Sequence, residues 1–340
     1  MKVAVTSFAH THALSYSRLL SAMPDVELLT CDAGEHPPEE LRGRALADEI
    51  GVPYVDDRAA LWEWRPDAVV VTSENARHRA DVQQAAAVGA HILCEKPLAT
   101  TWSDGLAIRD AVERAGVTLM VAFPVRFSPA FERVIAEYRS GALGELVAIR
   151  GNNNGKLPAE RAWFADSELS GGGALVDHVV HIADLVESLS GAAPRQVTAI
   201  SNQILHRDRG TETGALSTIE YEDGTIAAID SSWSVPPGAP AWGGLRLSVL
   251  GSRGTVDLDL FDTAVRGIDR SGRSLEHRYG SDLDARMLTV FLDAVRQGGR
   301  PDPSLRSGLR TLSIVLAAQE SARTGRRVDI GELLGDGVPD

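Results

Sequence analysis

The side chains of this chain that are most able to do chemistry gather in three stretches. One is "GGGALVDHVVHIADL", Gly171 to Leu185. Glycines let backbone approach a ligand closely, and a helix that follows them sets Asp177, His181 and Asp184 at i, i+4 and i+7 on one face. A histidine oriented by a carboxylate takes or gives a proton near neutral pH, as the oxidation of a secondary alcohol requires, so Asp177 and His181 form a candidate acid/base pair. Two other readings stand beside it: His181 as a core histidine capped by Asp184, or Asp177, His178 and His181 as metal ligands, which needs a frayed helix.

The second stretch is "EKP", Glu95 to Pro97, at the end of an apolar run. Open α/β sheets bind ligands at the carboxyl ends of their strands, and an X-Pro bond there is open to the cis form. Lys96 is either aimed at a ligand or a strand-end lysine in water.

The third is "VAVTSFAHTHALSY", Val3 to Tyr16, which has the shape of a strand running into a helix and contains no glycine. Free N–H groups at a helix start attract anions, and Ser7 and Ala9 are small enough for a phosphate to pass close. His10 and His12 stand two apart, which invites a metal reading. The sequence offers them no third ligand, and no metal is expected. Asp32 follows at about the distance at which a Rossmann carboxylate meets ribose hydroxyls, although a solvated loop aspartate reads the same way.

Two domains are needed to position these residues. Of the 340 residues 44% are hydrophobic, enough to bury more than one core. Up to about residue 122, "KVAV", "VELLT", "DAVVVTS", "AHILCEK" and "VTLMVAF" are apolar on both faces and read as buried parallel strands. "HALSYSRLLSAM", "EELRGRALADEIG" and "RADVQQAAAVGA" read as the helices between them. Right-handed crossovers then give an open doubly wound sheet. Past about residue 145 the period falls to two, with Asp223-Gly224 as a hairpin turn, so residues 123–340 are expected to form an α+β domain on a large, mostly antiparallel open sheet. One helix follows the glycine run. Another, 307–324, closes the chain and is placed to pack back on the first domain, 1–122.

Composition excludes several classes. The net charge of −13 without a dense basic run argues against nucleic acid and anionic membrane as partners. Only Cys31 and Cys94 occur, at no metal-like spacing, so a reducing, cytoplasmic setting is the expectation.

Taken in order, "EKP", "TSENARH", "GGGALVDHVVHIADL", "VLGSRGTVDL" and the closing "LAAQESARTGRRVDI" make the chain resemble the Gfo/Idh/MocA oxidoreductases along nearly its whole length. The resemblance implies an N-terminal Rossmann domain holding NAD or NADP, and a sugar, inositol or related polyol as substrate. It implies that Lys96 lies beside nicotinamide and substrate, that Asp177 positions the substrate, and that His181 removes the hydroxyl proton. On the cofactor side it points to Ser7, Phe8, Ala9, His10, His12, Asp32, Ser73, Asn75, His78, Glu95 and Lys96. Against the family's G-x-G-x-x-G this chain has Ser7, Ala9 and His12, and Glu74 stands where proline is usual. "VAFPVRFSPA" brings Arg126 to the site with Pro124 and Val125 where polar residues are common. "GNNNGKLPAERAWF" and the glycine-run helix add Asn154, Lys156, Trp163 and His178 as substrate contacts.

The expected reaction is hydride transfer between NAD, favoured by Asp32, and a secondary hydroxyl. Arg42 and Arg44 leave NADP open. A redox-neutral enzyme with tightly held NAD, and a sugar-binding protein that has lost its nucleotide, are the alternatives. A homodimer or homotetramer through a large apolar outer sheet face is expected.

Overall fold

The computed structural model describes residues 1–340 apart from 33, 35, 262, 263, 269, 271–273, 279 and 336–340. The chain divides into two compact units. The first holds Met1–Phe123, Ala159–Gly171 and Asp284–Leu312; the second holds Pro124–Pro158, Gly172–Leu283 and Ser313–Asp340. A single cut between 122 and 123 therefore misses two returns of the chain to the first unit.

In the first unit strands and helices alternate as β1 (Lys2–Val5), α1 (His12–Ser21), β2 (Glu27–Cys31), α2 (Gly43–Ile50), β3 (Tyr54–Val55), α3 (Arg58–Glu63), β4 (Ala68–Val71), α4 (His78–Ala87), β5 (His91–Cys94), α5 (Trp102–Ala115) and β6 (Leu119–Val121). Their sheet runs β3-β2-β1-β4-β5-β6, every neighbouring pair parallel. All four residues of β4 are fully buried, as strands covered on both faces must be. The order reverses between β1 and β4, the place where open α/β sheets bind ligands at the strands' carboxyl ends. α2 starts at Gly43 rather than near Glu39, because Arg42 is held extended (φ −146°, ψ −176°) by the contacts of its side chain. α5 is capped by the Thr101 side chain, which accepts from the Asp104 N–H, and ends on Gly116 in the left-handed region.

The second unit begins with α6 (Pro129–Arg139) and β7 (Leu146–Gly155); α7 (Ser167–Ser170), a single turn, lies in the segment returned to the first unit. Then come α8 (Ala174–Ser190), β8 (Pro194–Asn202), β9 (Gly214–Tyr221), β10 (Ile226–Ser232), β11 (Gly243–Gly251), β12 (Thr255–Asp259) and a hairpin of β13 (Ala264–Ile268) and β14 (Ser274–Arg278). α9 (Leu283–Gln297), α10 (Leu305–Thr324), β15 (Val328–Asp329) and α11 (Ile330–Leu334) complete the chain. The main sheet runs β12-β11-β7-β10-β9-β8-β15, antiparallel throughout except for the β7–β10 pair. Gly224 makes the expected turn between β9 and β10 with φ 87°.

α8 crosses the inner face of this sheet. Its Ile182 lies where a Cβ on Gly151 would be 2.5 Å away, so helix and strand meet closer than any side chain would allow. The outer face is mixed rather than a large apolar surface. Ile200, Leu216 and Ile226 are exposed there among Thr198, Thr218, Asp230 and Arg150, whose positions alternate with the buried ones.

α7, α9 and α11 add helices to the two expected after residue 145, and α6 precedes that point. α10 begins at Leu305, and Leu309 and Leu312 lie on Gly105 of α5, where an added Cβ would stand 3.1 and 2.8 Å from them. That approach ties 284–312 to the first unit. Among the described residues, no helix is long and apolar enough to cross a membrane.

Candidate active site

The turn between β1 and α1 is packed shut. Phe8 and Ala9 have no exposed surface and Ser7 and His10 almost none. Ser7 Oγ accepts from the Ala9 N–H at 3.0 Å, and the His10 N–H is taken by the Thr72 carbonyl at 2.9 Å. The cover is the returned segment: Trp163 donates its indole N–H to the Ala9 carbonyl at 3.0 Å and stacks on Phe164, ring centroids 3.9 Å apart. Phe164 meets the His10 ring edge-on at 5.3 Å. Trp163, expected to touch substrate, is therefore part of the lining of the turn. Residues 159–171 come to this place only through tertiary structure.

Asp32 ends up deeply engaged. Its Oδ1 accepts from Ser7 Oγ (2.7 Å) and Arg42 Nη2 (2.8 Å), and its Oδ2 from Arg42 Nε (3.0 Å) and the Gly43 N–H (3.0 Å). Those four bonds fill the lone-pair positions of a carboxylate. Burial would raise the Asp32 pKa, but the bonds and charge of Arg42, with Ser7, outweigh it and hold the carboxyl below its ordinary range. Arg42 is itself buried and also faces Glu40 and Glu74. Arg44 pairs with Asp56 at the surface.

After β4, His78 sets Nδ1 against the Pro97 carbonyl (3.0 Å) and Nε2 against that of Ser73 (3.1 Å), and Asn75 donates to the Ser170 carbonyl at 2.8 Å. Both side chains, expected on a cofactor, instead tie this turn to neighbouring backbone. The Lys96–Pro97 peptide is cis. Lys96 is buried, and its N–H donates to Glu95 Oε2 at 3.1 Å.

Glu95 is the hub of this end of the sheet. Its Oε1 lies 2.9 Å from His12 Nδ1 and accepts from the Tyr16 hydroxyl at 2.8 Å, while His10 Nε2 is 3.8 Å from Oε2. Burial favours its neutral form, yet His10, His12 and Lys96 together hold the carboxyl far below its usual range. Enclosure lowers the pKa of His12, and the touching carboxylate more than restores it, so the net shift is upward.

A dinucleotide on a sheet of this order crosses the switch point with its pyrophosphate at the α1 N-terminus. Thr11, at that N-cap, is half-buried, and its side chain makes no capping bond. Among the described residues nothing engages its N–H, so a phosphate fits there. A ribose fits at Asp32 only if one of the four bonds there is released.

In the second unit Gly172 and Gly173 close onto Glu212. A Cβ on Gly173 would stand 1.9 Å from the Glu212 carbonyl oxygen, and Glu212 Oε1 accepts from the N–H groups of Gly173 (2.7 Å) and Leu175 (3.2 Å). A glutamate 37 residues ahead thus caps α8, which no local signal announced.

Asp177, buried one turn into α8, accepts from the Trp233 indole N–H at 3.1 Å and lies 3.1 Å from His178 Nε2. His178 Nδ1 donates to the Asn153 carbonyl at 2.9 Å. A carbonyl only accepts, so a neutral His178 would turn an unprotonated Nε2 towards the carboxylate. His181 follows a turn later, half-buried.

Asp184 pairs with Arg126. Its Oδ2 accepts from Arg126 Nε at 3.0 Å and its Oδ1 from Arg126 Nη2 at 2.5 Å. Arg126 is thereby a buried partner of α8. Lys156 Nζ donates to the carbonyls of Pro237 (2.9 Å) and Ala239 (2.7 Å). Asn154 remains half-buried on β7 with its amide beside Gly244.

Residues 34–123 match the model described as "Oxidoreductase family, NAD-binding Rossmann fold", and residues 131–257 match "GFO/IDH/MocA C-terminal domain". D-xylose 1-dehydrogenase (NADP(+)) 2 of Haloferax volcanii is 30% identical over 86% of this chain and 90% of its own length. The 2,7-anhydro-N-acetylneuraminate hydratase of Escherichia coli is 28% identical over 75% of this chain and 66% of its own. The crystal structure of GenD2 from gentamicin A biosynthesis, in complex with NAD, superposes with a TM-score of 0.85 at 25% identity, covering 97% of this chain and 96% of that one.

Proposed function

This chain belongs to the Gfo/Idh/MocA oxidoreductases, and from that premise we propose that it is an NAD(P)-dependent dehydrogenase acting on a secondary hydroxyl of a sugar, inositol or related polyol. The observation that carries the reading is the treatment of Asp177. Burying a carboxylate is costly unless it is paired, and here the Trp233 indole donates to it at 3.1 Å with His178 Nε2 lying 3.1 Å away, on the helix that presents His181 one turn later. His181 takes the hydroxyl proton, Asp177 orients the substrate, and Lys96 stabilises negative charge developing on the oxygen. The bound nicotinamide supplies the hydride acceptor. Thr11 and the α1 N-terminus hold its pyrophosphate, and NAD is preferred because Arg42 is committed to Asp32.

The test is NADH formation by the purified protein across a panel of neutral sugars and inositols. Replacing His181 with Ala should lower kcat by on the order of 10²-fold or more while nucleotide affinity stays nearly unchanged. Equal loss of both would mark His181 as structural and sink its assignment as base.

The closed cover of Trp163 and Phe164 over the turn favours a second reading, in which the nucleotide stays bound through turnover and the substrate is oxidised transiently, then re-reduced. Mass spectrometry of the purified protein separates the two. Stoichiometric NAD carried through purification, with product formed and no net NADH, supports the second; a protein free of nucleotide that accumulates NADH supports the first.

A further inference from the structure

His10 and His12 stand two apart on a glycine-free turn, and the sequence offers them no third ligand. The fold supplies it from 83 residues away: Glu95, at the end of β5, points its carboxylate between the two rings. One ligating atom from each of His10, His12 and Glu95 lies within 4.8 Å of the others, with His12 Nδ1 and Glu95 Oε1 2.9 Å apart and His10 Nε2 and Glu95 Oε2 3.8 Å apart. The geometry points to a binding site for one divalent transition-metal ion, held by His10, His12 and Glu95.

Two imidazoles and one carboxylate are the donor set of borderline ions such as Zn²⁺ or Fe²⁺, whereas Mg²⁺ and Ca²⁺ prefer oxygen alone. Donor atoms around an ion at about 2.0–2.2 Å are roughly 3 to 3.5 Å apart, so the trio, now within 4.8 Å, draws together around the ion. The supporting groups are also in place. The Tyr16 hydroxyl donates to Glu95 Oε1 at 2.8 Å and the Lys96 N–H to Oε2 at 3.1 Å, which fixes the carboxylate as outer-shell partners do.

His10 and Glu95 are buried, while the His12 side chain is 35% exposed. The remaining coordination positions therefore open on the His12 side, to water or an oxygen ligand. Binding replaces two contacts of the metal-free molecule: His12 gives up its bond to Glu95, and His10 the 3.2 Å contact in which its Nδ1 accepts the His12 N–H. Ligating nitrogens must be unprotonated, so uptake releases protons.

This inference is independent of the dehydrogenase reading, and its test uses neither nucleotide nor sugar. The full-length protein, stripped with a chelator, is titrated with Co²⁺ and followed by d–d absorption, and its Zn²⁺ content is measured by elemental analysis. The expected result is a single equivalent of Co²⁺ displaced by Zn²⁺, with binding weakened by at least about tenfold in His12→Gln and in Glu95→Gln. His12→Gln alters a half-exposed side chain, and circular dichroism checks that it folds. No saturable Co²⁺ signal, or equal binding by the folded His12→Gln variant, would overturn the site.

Discussion

At the scale of single residues, the side chains nearest the expected chemistry are mostly bonded to one another. Asp32 and Arg42 are the sharpest case, a buried bidentate pair completed by Ser7 and the Gly43 N–H. Removing Arg42 leaves a buried carboxylate without its counter-charge, so Arg42→Ala should lower unfolding free energy by about 3–5 kcal/mol, read from urea melts. The pH dependence has a definite sign. The folded Asp32 carboxyl sits below its ordinary value of 3.8, so its contribution is complete above about pH 4 and is lost as pH falls further, where the unfolded chain takes up the proton first. Urea melts at neutral pH and near pH 3 should therefore differ less for Arg42→Ala than for the unaltered protein.

At the scale of elements, α8 is the part on which the reaction depends. It is placed by glycines rather than by side chains. Gly173 has no room for a Cβ against the Glu212 carbonyl, and Gly151 none against Ile182. Gly173→Ala should shift the start of α8 and cost about 1–3 kcal/mol or more by overpacking. A displaced Asp177 and His181 should then lower kcat more than they raise KM, because positioning errors of about 1 Å can cost on the order of 10²-fold in rate. Steady-state kinetics beside a thermal melt would check both. An unchanged kcat in a destabilised variant would separate α8 from the chemistry.

The helices around these elements are readable along the chain, as in α1, α4 and α8. The start of α2 differs, where the chain turns at Pro37–Glu40 and Arg42 is extended before Gly43. A tertiary salt bridge leaves no local pattern.

At the scale of the whole molecule, self-association is the open prediction. Ile200 and Leu216 are cross-strand partners on the outer sheet face, 64% and 54% exposed. We expect a homo-oligomer through this face. Replacing both with Asp should reduce the mass seen by light scattering to that of one 36.3 kDa chain, and an unaltered oligomer would place the interface elsewhere.

What the sequence determined by itself was whatever depends on neighbours along the chain. Runs apolar on both faces, a period of two after residue 145, the Asp223-Gly224 turn and the helix after Gly173 follow from local propensity and alternation. So does the helical spacing of Asp177 and His181. Tertiary structure decided which partner each polar group took. Arg126 was claimed by Asp184, Asp177 by Trp233 and His178, Asp32 by Arg42, and the two turn histidines by Glu95. A charge leaving water accepts whichever opposite group the packing brings within reach. The partners of these groups are up to 83 residues away, and separation along the chain does not encode that choice.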